Sequence, residues 1–91
     1  MSKKRNRLEI IHDILYIIRD HGNSIRPTPL LRFSNMSTQR FEEYHRELLK
    51  KGFIREELDK KGRRFITMTD KGHDFLQKYR MITGMIEEFD L

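Results

Sequence analysis

The chain has no cysteine among its 91 residues. That absence excludes disulfides, thiolate metal sites and cysteine nucleophiles together, and it fits a reducing, cytoplasmic setting. Long apolar runs are missing as well. The stretch from Leu8 to Ile18 is interrupted by Glu9, His12 and Asp13, and a membrane span needs roughly 20 apolar residues. The basic start, Lys3-Lys4-Arg5-Arg7, therefore precedes neither a span nor a signal peptide, since no small-residue cleavage site follows. There are no internal repeats and no low-complexity tracts. Catalytic signatures are also lacking: no glycine-rich phosphate loop, no nucleophile elbow, no matched nucleophile and base. His12, His21, His45 and His73 are scattered without metal-ligand spacing. The expectation is a protein that is not an enzyme and carries no metal or cofactor.

Acidic residues are in deficit, 14 against 19 Lys+Arg, for a net charge of +5. A basic surface favours a polyanionic partner, nucleic acid first and an anionic membrane second. Hydrophobic residues are 36% and charged residues another 36%, so the core must be small, and an obligate partner would relieve the shortage of buried surface. The charge is unevenly distributed. Residues 1–69 hold 16 basic and 9 acidic side chains, a balance of +7, whereas residues 70–91 hold 3 and 5, a balance of −2. The last segment is therefore not the polyanion-binding surface.

Leu8, Ile11, Leu15 and Ile18 recur at helical spacing from about Arg7 to His21, with Ile10, Ile14, Ile17 and His21 as a second set beside them and Gly22-Asn23 as a stop. This predicts a first helix with an unusually wide apolar face. Thr28-Pro29 reads as a cap followed by proline at the first helical position, opening a short second helix that ends near Phe33. Ser34-Asn35-Met36-Ser37 is a tight turn whose last residue caps a third helix, with Phe41, Tyr44, His45 and Leu48 on one face and Gly52 as its stop. Two short helices joined by such a turn form a helix-turn-helix.

Residues 53–58 and 63–68 are β-favouring segments joined by Asp59-Lys60-Lys61-Gly62, a hairpin with a basic tip. Thr69 caps a final long helix in which Phe75, Tyr79, Ile82, Ile86 and Phe89 are spaced 4, 3, 4 and 3 apart, a heptad seam of about two repeats. The fold class is mainly α with a small β-hairpin (α+β). One structural domain is expected, with residues 1–69 as basic arm and helix-turn-helix with hairpin, and 70–91 as an association helix.

Leu8-Glu9-Ile10-Ile11, the Thr28–Ser37 stretch, Leu48-Leu49-Lys50-Lys51-Gly52-Phe53-Ile54 and Met68-Thr69-Asp70-Lys71-Gly72 resemble the winged-helix superfamily. They are closest in kind to small archaeal winged-helix DNA-binding proteins and transcriptional regulators that dimerise through a C-terminal coiled coil. In the last motif Met68 stands where many such regulators have Leu. The resemblance covers nearly the whole chain, and it implies a winged helix-turn-helix that binds double-stranded DNA as a homodimer. The third helix is then expected in the major groove and the hairpin, or wing, on the backbone or minor groove.

About 100° per residue places Gln39, Glu43, Arg46 and Lys50 opposite the Phe41/Tyr44/Leu48 face. Thr38 and Arg40 lie at the helix start, where backbone N–H groups also favour phosphate. Gln39 and Arg46 suit bidentate contacts to adenine and guanine edges. The plain alternative is a surface face laced by Glu42–Arg46 and Glu47–Lys50 pairs. Lys60, Lys61, Arg63 and Arg64 are the phosphate or minor-groove candidates of the wing. Lys3, Lys4, Arg5 and Arg7 form either a mobile basic arm or a frayed terminus. Phe75, Tyr79, Ile82, Ile86 and Phe89 are the dimer seam, packing on the first helix of the same chain being the alternative. Two rival functions remain: a winged-helix module that contacts protein, and a DNA-packing protein of nucleoid type. Binding of RNA lacks an aromatic stacking platform.

Overall fold

The computed structural model describes residues 5–91. The order is α1 (Arg7–Asp20), α2 (Pro27–Ser34), α3 (Thr38–Lys50), β1 (Ile54–Leu58), β2 (Arg64–Met68) and α4 (Asp70–Glu88). This is the expected mainly helical arrangement with one antiparallel hairpin.

A capping box starts α1. The Asn6 side chain accepts from the Glu9 N–H, and the Glu9 carboxylate accepts from the Asn6 N–H. Ile10, Ile11, Ile14, Leu15 and Ile18 are buried, one stripe drawn from both predicted sets, while Ile17 is half-buried and His21, expected beside them, is the exposed C-cap. Leu8 was expected in that stripe but is 55% exposed. It lies about 90° from the centre of the stripe, on the flank of the helix.

The start of α2 differs from the sequence expectation. Its N-cap is Arg26, which makes no side-chain capping bond, and Pro27 rather than Pro29 is the first helical residue. Thr28 is thus inside the helix. Both prolines are tolerated because the first four N–H groups of a helix have no internal acceptor, so Pro27 and Pro29 forfeit no bond. Asn35 ends α2 in the left-handed conformation, at φ 57° and ψ 44°. Ser37 caps α3 as expected, its hydroxyl accepting from the Arg40 N–H.

In the hairpin Ile54 pairs with Met68 at the base and Leu58 with Arg64 at the tip. Ile25, in the α1–α2 connection, bridges Ile66 by two backbone bonds, Ile25 N–H to the Ile66 carbonyl and the reverse, at 3.2 and 2.8 Å. The base of the hairpin is thereby stitched into the core, where Ile54, Ile66 and Met68 join α1, Leu30, Phe41, Leu48 and Leu76. The outer part of β1 is exposed from Arg55 to Leu58 and projects as a wing.

Thr69 caps α4, accepting from the Gly72 N–H while its hydroxyl donates to the Gly52 carbonyl. Gly72 is buried, and a Cβ built there would meet Met68 Cγ and lie 2.5 Å from the Phe53 carbonyl oxygen. The helix can approach this closely only without a side chain. Leu76 is the last residue of α4 in the core. Among the described residues no helix is long and apolar enough to cross a membrane.

Candidate nucleic-acid interface

Helix α3 buries Phe41 and Leu48, half-buries Tyr44, His45 and Leu49, and exposes Thr38, Gln39, Arg40, Glu42, Glu43, Arg46 and Lys50. Gln39, Glu43, Arg46 and Lys50, predicted from helical spacing, and Thr38 and Arg40, named for their place at the helix start, are all exposed. Neither of the ion pairs weighed as the plain alternative forms. Glu47 is paired with Lys51 and with Arg7, leaving Lys50 without it. Arg40, Arg46 and Lys50 have no carboxylate partner among the described residues. The fold has supplied neutralising partners elsewhere and left these three cations uncompensated.

Between α3, the start of α2 and the wing runs an open cleft of about 330 Å³, floored by Leu31, Phe41 and Leu49 and rimmed by Glu42, Arg46 and Arg64. His45 stands in its wall, its Nε2 3.6 Å from Glu56 Oε1 and its Nδ1 buried with no partner. Burial pushes its pKa below the ordinary histidine value, an effect that the Glu56 carboxylate opposes and the Arg64 cation reinforces. Burial therefore disfavours the charged imidazole at the joint between α3 and wing.

Asp59 organises the wing turn. Its Oδ1 accepts from the N–H groups of Lys61 and Arg63, both at 2.9 Å, and its Oδ2 accepts from Arg26 Nη2 and Arg63 Nε. The bond from the Arg63 N–H is the main reason its carboxyl sits well below the usual carboxylate range, with the Arg26 guanidinium next. Gly62 completes the turn at φ +77°. The four wing cations divide accordingly. Arg63 is tied to Asp59 and Arg64 to Glu56, while Lys60 and Lys61 are exposed and have no ion pair among the described residues.

Two functional-site participants, Arg26 and Asp59, lay outside the residues predicted from sequence. Asp59 carried a readable signal, an Asp three residues before a turn glycine. Arg26 carried none, because its partners are 33 and 38 residues away. The described part of the basic start is not a free arm. Arg5 donates to Asp13 and to the Ser34 carbonyl, and Arg7 pairs with Glu47, so both are folded back on the body. Lys3 and Lys4 lie outside the described residues.

The α4 seam is divided. Phe75 packs edge-on against Phe53, with ring centroids 5.6 Å apart, and Tyr79 stacks on His12 of α1 at 4.3 Å. Burial, then Glu9 and Asp13, raises the Tyr79 pKa above that of a free tyrosine. Ile82, Ile86 and Phe89 are 55%, 43% and 63% exposed, and Phe89 is the C-cap rather than a helical residue. The seam thus begins as an intrachain contact and continues into solvent.

Among solved structures the fold is similar to Sso10a-2, a DNA-binding protein from Sulfolobus solfataricus. The TM-score is 0.73 at 20% identity, over 93% of this chain and 85% of that one. It is also similar to SSV1 F-93, with a TM-score of 0.67 at 22% identity, over 98% and 99%. No curated protein sequence matches. At these identities the likeness is one of fold. The winged helix-turn-helix family model matches residues 4–87, nearly the whole chain, and the chain belongs to the winged helix-turn-helix family.

Proposed function

We propose that the protein binds double-stranded DNA selectively as a homodimeric transcriptional regulator in the cytoplasm, with α3 in the major groove and the wing on the backbone or minor groove. The main support is the set of exposed cations with no ion pair among the described residues: Arg40, Arg46 and Lys50 on α3, Lys60 and Lys61 on the wing. A helix of this diameter fits the major groove, and an arginine projecting from it presents the fork that guanine accepts. Thr38 and Gln39 flank these cations at the helix start. Glu43, exposed beside Arg46, repels phosphate and accepts from cytosine, which favours readout of bases over coating of the backbone. The fold likeness to a protein described as DNA-binding is in keeping with this reading.

Dimerisation rests on the distal part of α4. Met81, Ile82, Met85, Ile86, Phe89 and Leu91 are each more than 40% exposed, a continuous apolar surface of a kind that soluble proteins rarely leave to water. A second copy of the same helix would cover it, leaving residues 5–69 to bind DNA.

Titration of the protein against labelled duplexes at several salt concentrations tests the function. Three to five phosphates neutralised per protomer give a slope of log K against log salt of about −3 to −4.5 per protomer. Selective enrichment from a random duplex library is expected beside that slope. Equal binding of all sequences would support the packing role instead, and no duplex binding at any salt concentration would support a protein-contact module.

A further inference from the structure

Arg26 is not among the groups assigned to DNA, yet it spans two elements. Its Nη1 donates to the Arg64 carbonyl at 3.0 Å and its Nη2 to Asp59 Oδ2. Its own backbone is fixed on one side by the Ile25–Ile66 bridge and on the other by Pro27, the first residue of α2. Asp59 in turn holds the N–H groups of Lys61 and Arg63. A continuous path of bonds therefore runs from the helix-turn-helix to the turn that carries Lys60 and Lys61. A two-stranded hairpin is marginal by itself, and β1 has only Ile54 buried. Without this path the wing turn would be held to the helix-turn-helix only through the strand ladder and the Glu56–His45 contact.

We infer that Arg26 and Asp59 form a clamp that fixes the distance between the wing lysines and α3, so that Arg26 acts as a positioning residue for recognition of DNA shape. The inference rests on the DNA-binding reading above. A prong at fixed separation from the major-groove helix contacts the flanking backbone well only where the intervening groove has the matching width, whereas a loose prong follows any width. Phosphate count is the same in both cases, but preorganisation and discrimination differ. The clamp holds over a wide acid range because the Asp59 carboxyl stays ionised well below the usual carboxylate range, chiefly through the Arg63 N–H bond.

The test combines Arg26→Gln, Lys60→Ala/Lys61→Ala and the triple variant, each folded by circular dichroism, with affinities measured on a preferred duplex and on one of altered flanking groove width. Arg26→Gln is expected to lower affinity for the preferred duplex about 10-fold, to narrow the ratio between the two duplexes, and to leave the salt slope unchanged. In the Lys60→Ala/Lys61→Ala background the same substitution should have almost no further effect, because the residues it positions are gone. Amide exchange at Lys61 and Arg63 should quicken in Arg26→Gln. Losses that multiply fully in the triple variant, or an Arg26→Gln protein with wild-type affinity and wild-type discrimination, would overturn the clamp while leaving DNA binding intact. A wild type that ignores DNA at every salt concentration would overturn the functional reading itself. Should Arg26→Gln fail to fold, Asp59→Asn, which can keep an Oδ1 acceptor for the turn N–H groups but puts an amide NH2 where Oδ2 accepts from Arg26, carries the same comparison.

Discussion

Two glycines of α4 allow the packing described at its first turn to be tested by a single type of substitution. At Gly72 an added Cβ would press on Met68 Cγ and sit 2.5 Å from the Phe53 carbonyl oxygen, nearly 1 Å inside an ordinary contact. The methionine can rotate aside, but the carbonyl is backbone and cannot. The whole first turn of α4 must therefore lift, loosening the Thr69 cap and the Phe53–Phe75 contact. Overpacking of this kind costs about 1–3 kcal/mol, against which alanine's better helix propensity returns at most about 1 kcal/mol. The net expectation for Gly72→Ala is a loss of about 1–2 kcal/mol, a fall in Tm of roughly 5–10 °C for a domain this size. At Gly84 nothing lies within 4 Å of the added Cβ, so the same substitution should gain about 0.5–1 kcal/mol and raise Tm by a few degrees. Thermal melts by circular dichroism at matched concentrations read both, with dilution controlling for association. A Gly72→Ala protein that melts at or above the wild type would refute the close approach of α4 to Phe53. A Gly84→Ala protein that falls with it would show that helix packing is not what separates the two sites.

Arg46→Ala should change which duplex sequences are preferred, whereas Lys60→Ala and Lys61→Ala should weaken all sequences alike; binding-site selection on each variant would refute this division if the profiles shift equally. Ile82→Asp or Ile86→Asp should yield a monomer by light scattering, because an aspartate in a buried seam is unpaired, and an unchanged mass would refute that seam. Folded His45 holds its proton less tightly than the unfolded residue, so its contribution to stability is complete above about pH 6.5 and is lost as pH falls through the lower folded value. Urea midpoints at pH 7.5 and 5.5 should therefore draw together in His45→Gln relative to the wild type, and an identical decline in both proteins would contradict it.

Local signals made most of the fold legible. Ser37 and Thr69 announce their helices because a cap is a bond between residues three apart, and Gly52 and Gly62 announce turns because their backbone angles demand them. Periodicity located the exposed side of α3 for the same reason, since one helix face is determined by spacing alone. What escaped was set by distant residues. Whether Lys50 is spent on Glu47 depends on where Arg7 and Lys51 lie, and Arg7 belongs to a different helix. The Pro27–Thr28–Pro29 triplet carries a proline on either side of Thr28, and the first of them, not the capping pattern Thr28-Pro29, opens α2. Leu8 was misplaced because two adjacent apolar sets on α1 cannot be told from one stripe centred between them without knowing what covers the helix. The heptad spacing of α4 continues through Tyr79, but it carries no mark of where the body of the domain ends.

The bridge between Ile25 and Ile66 also determines how this protein behaves in concentrated solution. A two-stranded sheet has two open edges, each a template on which another chain can add a strand. Here the inner edge, along β2, is occupied at Ile66 by the protein's own α1–α2 connection. The outer edge, along β1, presents Arg55, Glu56 and Glu57 to solvent, so an incoming strand would meet charges of both signs that must be desolvated before any ladder bond forms. Replacing Arg55 and Glu57 by valine or threonine should make this edge a better template for strand addition, at the cost of the bond that Glu57 accepts from the Thr67 hydroxyl.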